Sequence, residues 1–208
     1  SELSGSGAVY AAQIQSNQIN YEYDSIGNLE YKSDIGGGGD NGRYTYGNNA
    51  GPHAVTSITG LTGTGQSSFT YDSNGNQLTG NGRAITYNAF NKPTLITKNG
   101  QDTHLWYGPE RQLIKQQEST PAGLQTKTLV GGLFEQVSIL GGGITNRHHI
   151  AVAGNVIAIV DTEPGSLVAV KENYLHKNHQ SSVLAISNMS GNVVERRYYD
   201  AFGDVKSY

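Results

Sequence analysis

The sequence contains no cysteine. That removes disulfide staples, thiol nucleophiles and thiolate metal sites together, and it leaves either redox compartment open. Charge is also scarce. Asp, Glu, Lys and Arg make up 15% of the residues, against about a quarter in an average globular chain. With a formal net charge of −3, the chain lacks the basic face that nucleic acid or an anionic membrane would need. It shows no block of like charges, no signal peptide and no apolar run long enough to span a bilayer. Helical periodicity is missing too: the nearest pattern, "GPERQLIKQQE", fits a turn leading into a strand.

Glycine and tyrosine are plentiful, at 28 and 13 residues. A chain of 208 residues rich in both and poor in helix formers predicts an all-β protein with many turns, in one domain or two small ones. It opens on "SELSGSG" without an initiator Met, which leads us to expect a fragment or processed piece of something longer.

The local logic is visible in "YEYDSIGNLEYKSD". Tyr21 and Tyr23 stand two apart, on one face of a strand. Asp24 then offers its side chain to the following backbone as an Asx-turn, and Gly27 supplies the positive φ of a tight reversal. The chain resumes with an alternating run, so the unit reads strand, turn, strand. The apolar-x-Tyr pattern recurs at Tyr44-x-Tyr46, Phe69-x-Tyr71, Ile85-x-Tyr87 and Leu105-x-Tyr107, each followed by turn residues. Intervals of 23, 25, 16 and 20 residues separate Tyr23, Tyr46, Tyr71, Tyr87 and Tyr107, mostly within the period range of repeat architectures. Hairpins laid side by side would bring these rings close across strands, at about 0.2–1 kcal/mol per pair. The second half is richer in Val and Ile but still alternates between Gly-containing turns. A soft subdivision at Gly123 to Lys127 separates residues 1–122, a hairpin-repeat region, from 123–208.

These residues resemble the RHS/YD-repeat family over nearly the whole chain. Its unit is roughly Tyr-x-Tyr-Asp-x-x-Gly-Arg/Asn-Leu. Tyr21, Tyr23, Asp24, Gly27, Asn28 and Leu29 match it fully, and Phe69, Tyr71, Asp72, Gly75, Asn76 and Leu78 match closely. "YGNNAGPHAVTSI" and "HLWYGPERQLIKQ" are similar to elements flanking the last repeats of such proteins. "YLHKNHQSSVLAISNMSGNVVERRYYDAFGDVK" resembles the family's repeat-associated segment through Tyr174, His176, His179, Ser182, Gly191, Val194, Tyr199, Phe202 and Gly203. Asp200 completes the closing "YYDAFG". The segment departs from the family pattern at Asn178, where Asp is usual, and at Gln180-Ser181, where Leu-Gly is usual.

The resemblance implies a long antiparallel β-hairpin meander forming a curved strip of a hollow spiral shell. In bacterial toxin complexes and secreted polymorphic effectors such a shell encapsulates a C-terminal toxin. It implies as partners the enclosed toxin domain, the remaining shell of the same or a larger chain, and a delivery-complex protein. It also implies secretion or cell-surface delivery by bacteria. The family's self-cleaving core would lie beyond "YDAFG", so residues 123–208 lead toward a core region that this sequence does not contain.

Chemistry is hard to find. His148 and His149 are adjacent and point to opposite strand faces, and so do His176 and His179, three apart. Without Asp or Cys nearby, a hydrogen-bonded structural role fits His176 and His179 better than metal binding. "DSNGNQ" from Asp72 has Gln77 and Arg83 where a calcium loop needs Gly and Glu, so it reads as a turn. "GGGGD" and "GGG" lead into no helix and read as hairpin loops. Asp161 and Glu163 adjoin a Pro-Gly turn and are expected in solvent. No nucleophile elbow or phosphate loop is present, and no enzyme activity, cofactor or metal is expected. The tyrosines leave an alternative, a carbohydrate-binding surface module with the rings facing solvent and a glycan as ligand.

Overall fold

A computed structural model describes residues 18–35, 40–61 and 68–207. The opening "SELSGSG" and the four glycines of "GGGGD" lie outside them. Every regular element among the described residues is a β-strand, and all pair antiparallel. No helix there is long and apolar enough to cross a membrane. The chain divides into two compact units on either side of the Gly100–Gln101 bond. The sequence subdivision near residue 123 falls inside the second of these, at the start of a strand.

In the first unit, β1 (Tyr21–Tyr23) pairs with β2 (Leu29–Lys32), and β3 (Tyr44–Tyr46) with β4 (Val55–Ile58). A single bridge between Tyr31 and Arg43 joins these hairpins, and one between Ser57 and Ser68 leads on. Then β5 (Thr70–Tyr71), β6 (Gln77–Gly80), β7 (Arg83–Tyr87) and β8 (Pro93–Lys98) pair in chain order. Gly80 is obligatory: a Cβ there would fall on the Phe69 ring.

The second unit is an open meander in chain order. It comprises β9 (Gln101–Tyr107), β10 (Leu113–Thr120), β11 (Gly123–Val130), β12 (Phe134–Ile139) and β13 (Ile144–Val152). β14 (Asn155–Thr162), β15 (Ala169–Lys177), β16 (Val183–Asn188), β17 (Val193–Tyr199) and β18 (Val205–Ser207) complete it. The "GPERQ" stretch is the turn between β9 and β10, and "GGG" is the turn between β12 and β13.

Little apolar surface is hidden. Among the described residues Ala158 and Ile186 are the buried hydrophobic ones, whereas Asn28, Lys32, Thr56, Glu135, Asp161, Thr162 and Ser187 are buried polar ones. The Val and Ile of the second half therefore build sheet, by β-propensity and same-face packing, more than a deep core. Cohesion rests on backbone ladders and on polar contacts between neighbouring hairpins.

Candidate functional site

Two constructions recur, and neither is a catalytic constellation. The first is a five-residue turn. At Asp24, Asp72, Asn88, Asn178, Asn188 and Asp200 the side-chain Oδ1 accepts N–H groups from the residues two and four further on, at 2.8 to 3.1 Å. The backbone N–H of that Asp or Asn donates to the carbonyl four residues on, and its own carbonyl accepts from the N–H three residues on. That third residue must take positive φ: Gly27, Gly75, Asn91, Ser181, Gly191 and Gly203 do so. Gly108 makes the same backbone pattern without a side chain, with Arg111 in the positive-φ place. The departures at Asn178 and Ser181 thus leave the turn intact, with an amide doing the work of a carboxylate and Ser181 held at φ 66°.

The second construction is a clamp. The tyrosine before a turn reaches back to the strand that follows the preceding turn on the same side. Tyr46 donates its hydroxyl hydrogen to the Leu29 carbonyl at 2.8 Å, Tyr71 to Val55 at 2.7 Å, Tyr87 to Gln77 at 2.9 Å and Tyr199 to Val183 at 2.8 Å. These phenols are half-buried. Burial pushes the Tyr46, Tyr71, Tyr87 and Tyr107 hydroxyls above the ordinary tyrosine pKa. Sequence reasoning placed these rings beside neighbouring hairpins, but the contact that links hairpins is hydroxyl to backbone carbonyl. A carbonyl leaves no side-chain signature, which is why the sequence did not reveal it. Tyr23 stands exposed on β1, and Tyr21 is half-exposed beside it.

The turns are also tied to one another by side chains. Asn28, at the end of the Asp24 turn, donates its amide to Asp24 Oδ2 at 2.8 Å and to the Pro52 carbonyl at 3.1 Å. His53 Nδ1 lies 2.7 Å from the same amide's oxygen. The "GPHAV" element is thereby fastened to the first hairpin. Asn76 plays the same part for the Asp72 turn, bonding Asp72 Oδ2 at 2.9 Å and Asn91 Oδ1 at 2.8 Å. That Asn76 bond, with two backbone N–H bonds and opposed by slight burial, holds the Asp72 carboxyl below its usual range.

In the second unit a charged ladder crosses the sheet. Register places Glu135, Arg147, Asp161 and Lys171 directly opposite one another on β12 to β15, with alternating sign on one face. Arg147 grips Asp161 with two bonds, Nε to Oδ1 at 2.8 Å and Nη2 to Oδ2 at 3.0 Å, and reaches Glu135 at 3.3 Å. Lys127 adds a contact to Glu135 at 3.6 Å, and His149 stands 3.8 Å from it. The expectation that Asp161 would lie in solvent is overturned. It is buried against Arg147 because its strand continues to Thr162 before the Pro-Gly turn begins; Glu163, one residue later, is exposed as expected.

The remaining histidines separate. His176 Nε2 lies 2.8 Å from Ser187 Oγ across β15 and β16, while His179 is exposed within the Asn178 turn. His148 packs on Phe134. Among the described residues no group of three or more His, Cys, Asp or Glu side chains is arranged to hold a metal ion.

An open all-β hairpin meander, tied together by Asx-turns and tyrosine clamps, is the class these features define. No protein-family model matches the sequence, and no curated protein does. Solved structures match in fold. The Photorhabdus luminescens Tc holotoxin pore carrying the TccC3 D651A mutation aligns over 90% of this chain at a TM-score of 0.63 and 15% identity. The crystal structure of TcdB2-TccC3 aligns over 90% of it at 0.57 and 14%. This chain spans only 10% and 12% of those two chains.

Proposed function

We propose that the chain is a wall segment of an RHS/YD-repeat shell, a structural element that encloses and helps deliver a C-terminal toxin, and that it is not an enzyme. The observation that carries this reading is the turn-and-clamp unit, repeated along a fold shared with Tc toxin structures. Each unit passes its cohesion to the next through backbone carbonyls. A wall needs that continuity, and it needs no reactive centre. The partners are the enclosed toxin domain, the rest of the shell and a delivery-complex protein, in a product secreted or surface-delivered by bacteria.

Limited proteolysis of the natural full-length product, read by mass spectrometry, tests the proposal. We expect a resistant β-shell with a C-terminal domain protected until the shell is opened. A C-terminal domain cut at the same rate as in its isolated form would overturn enclosure. The glycan-binding alternative has its own test on a glycan array. The four clamping hydroxyls turned to backbone carbonyls favour the wall, since those tyrosines are already engaged.

A further inference from the structure

Four Asn-Gly pairs occur in the chain: Asn41-Gly42, Asn74-Gly75, Asn81-Gly82 and Asn99-Gly100. Such a pair can react with itself, because the glycine nitrogen reaches the asparagine amide carbon unhindered by any side chain of its own. Hydrogen bonds on either group oppose the reaction, since they must break first. The Gly42 N–H donates to the Thr59 carbonyl at 2.7 Å, and the Gly75 N–H to the Asp72 carbonyl at 3.1 Å. Asn74 is fixed further, its backbone N–H donating to Asp72 Oδ1 at 2.9 Å and its amide to Asn91 Oδ1 at 3.3 Å. Asn41 and Asn99 are engaged by other contacts.

Asn81-Gly82 differs from the other three. Among the described residues neither the Asn81 side chain nor the Gly82 N–H has a hydrogen-bond partner. The pair forms the two-residue loop between β6 and β7, with φ of 51° at Asn81 and 70° at Gly82, the positive values that a tight hairpin turn needs. The ladder beneath this loop is short, made of Thr79 opposite Ala84 and Gly80 opposite Arg83. Opening the loop end therefore breaks few bonds. Asn81 is half-buried, so water has access to its amide.

We propose that Asn81 is a deamidation site, the first asparagine of this chain to become isoaspartate. When the turn opens, the Gly82 nitrogen gives up its proton and bonds to Asn81 Cγ. The Cγ–Nδ2 bond breaks, the nitrogen leaves as ammonia, and a five-membered succinimide closes. Water then adds to one of the two ring carbonyls. Addition at the backbone carbonyl breaks its bond to the Gly82 nitrogen and routes the chain through Cγ, which is isoaspartate; addition at Cγ gives aspartate. One water is consumed and one ammonia released, and nothing is oxidised or reduced. Either product sets a carboxylate next to the exposed Arg83, and isoaspartate also lengthens the loop backbone by one carbon. The β6–β7 turn is thereby altered in one direction only, whether or not the chain is a shell wall.

The test is incubation of the 208-residue chain in mildly alkaline buffer, beside the same chain kept in urea, followed by trypsin and fragment mass spectrometry. Fragmentation of the tryptic peptide 44–83 separates Asn74 from Asn81, and electron-transfer fragments distinguish isoaspartate from aspartate. In the folded chain we expect Asn81 to react about fivefold faster than Asn41, Asn74 and Asn99, the factor for one hydrogen bond that need not be broken. In urea the four rates should converge. Asn81→Gln should remove the early product and leave the other three rates as they were. Another pair reacting first in the folded chain, no reaction at Asn81, or the same order and spread in urea overturns the proposal. The last result would mean that neighbouring residue types, and not the fold, choose the site.

Discussion

His53 Nδ1 and Asn28 Oδ1 lie 2.7 Å apart, and the Asn28 amide determines which of them carries the proton. Both of its donors are spent, on Asp24 and on the Pro52 carbonyl, so its oxygen must accept. His53 is therefore protonated on Nδ1, the ring nitrogen that meets Asn28. Nitrogen-detected NMR near neutral pH should show the Nδ1–H tautomer; a dominant Nε2–H form would contradict the assignment. Asn28 is buried, so Asn28→Ala strands a carboxylate oxygen and a carbonyl and should cost about 2 kcal/mol in urea unfolding.

Tyr71 separates the clamp from simple ring packing. Tyr71→Phe keeps the ring and removes the bond to the Val55 carbonyl, with an expected loss of about 1 kcal/mol. Tyr71→Ala removes both and should cost roughly 2–3 kcal/mol, below the full-burial range because the ring is only half-covered. Thermal melts of both variants check this. Equal losses would mean that the ring adds nothing beyond its hydroxyl, and an unchanged Tyr71→Phe variant would mean that the hydroxyl contributes nothing.

Hairpins and their turns were legible because the information is local. Asp24 and Gly27, or Asp72 and Gly75, fall within five residues and act on their own backbone. What escaped was non-local or carried by the backbone. The clamp acceptors are carbonyls, and nothing in Leu29 or Gln77 as residue types marks them. Asp161 was misplaced because its Pro-Gly neighbours signal a turn, while its partner Arg147 is fixed by strand register. Asn178 and Ser181 read as departures from a motif, although the turn chemistry tolerates both.

That tolerance has a cost. Ser181 sits at φ 66°, a region disfavoured for residues with a Cβ. Ser181→Gly should stabilise the protein by about 0.5–1 kcal/mol, the gain in the folded turn being partly offset by the freer unfolded chain. The converse is Gly75→Ala at φ 83°, where a new methyl would meet nothing within 4 Å. Its expected loss of about 1 kcal/mol would be purely conformational. Opposite signs in the two melts are the expected result, and a shared sign would count against it.

Arg147 holds two buried carboxylates that face it from both neighbouring strands. Arg147→Met removes the cation and leaves Glu135 and Asp161 underpaired. The expected loss is about 2–3 kcal/mol, below that of a fully buried pair because the guanidinium is partly exposed. In the triple change Glu135→Gln, Arg147→Met, Asp161→Asn the stranded charges are gone, and most of that stability should return. A triple variant less stable than the single one would show that the ladder acts through packing.

The tyrosines also set an alkaline limit. Burial raises the Tyr46, Tyr71, Tyr87 and Tyr107 hydroxyls above the ordinary value of about 10. In the unfolded chain these phenols ionise first, so the unfolded state releases protons at a pH where the folded state still holds them. Their contribution is then fully present below pH about 10 and is lost as pH rises through the folded values. Urea midpoints measured upward from neutrality should hold until that point and then fall. The Tyr71→Phe variant, with one fewer such group, should fall less steeply. A midpoint independent of pH across that range, or an equal slope in the variant, would mean that the hydroxyls are not held protonated by the fold.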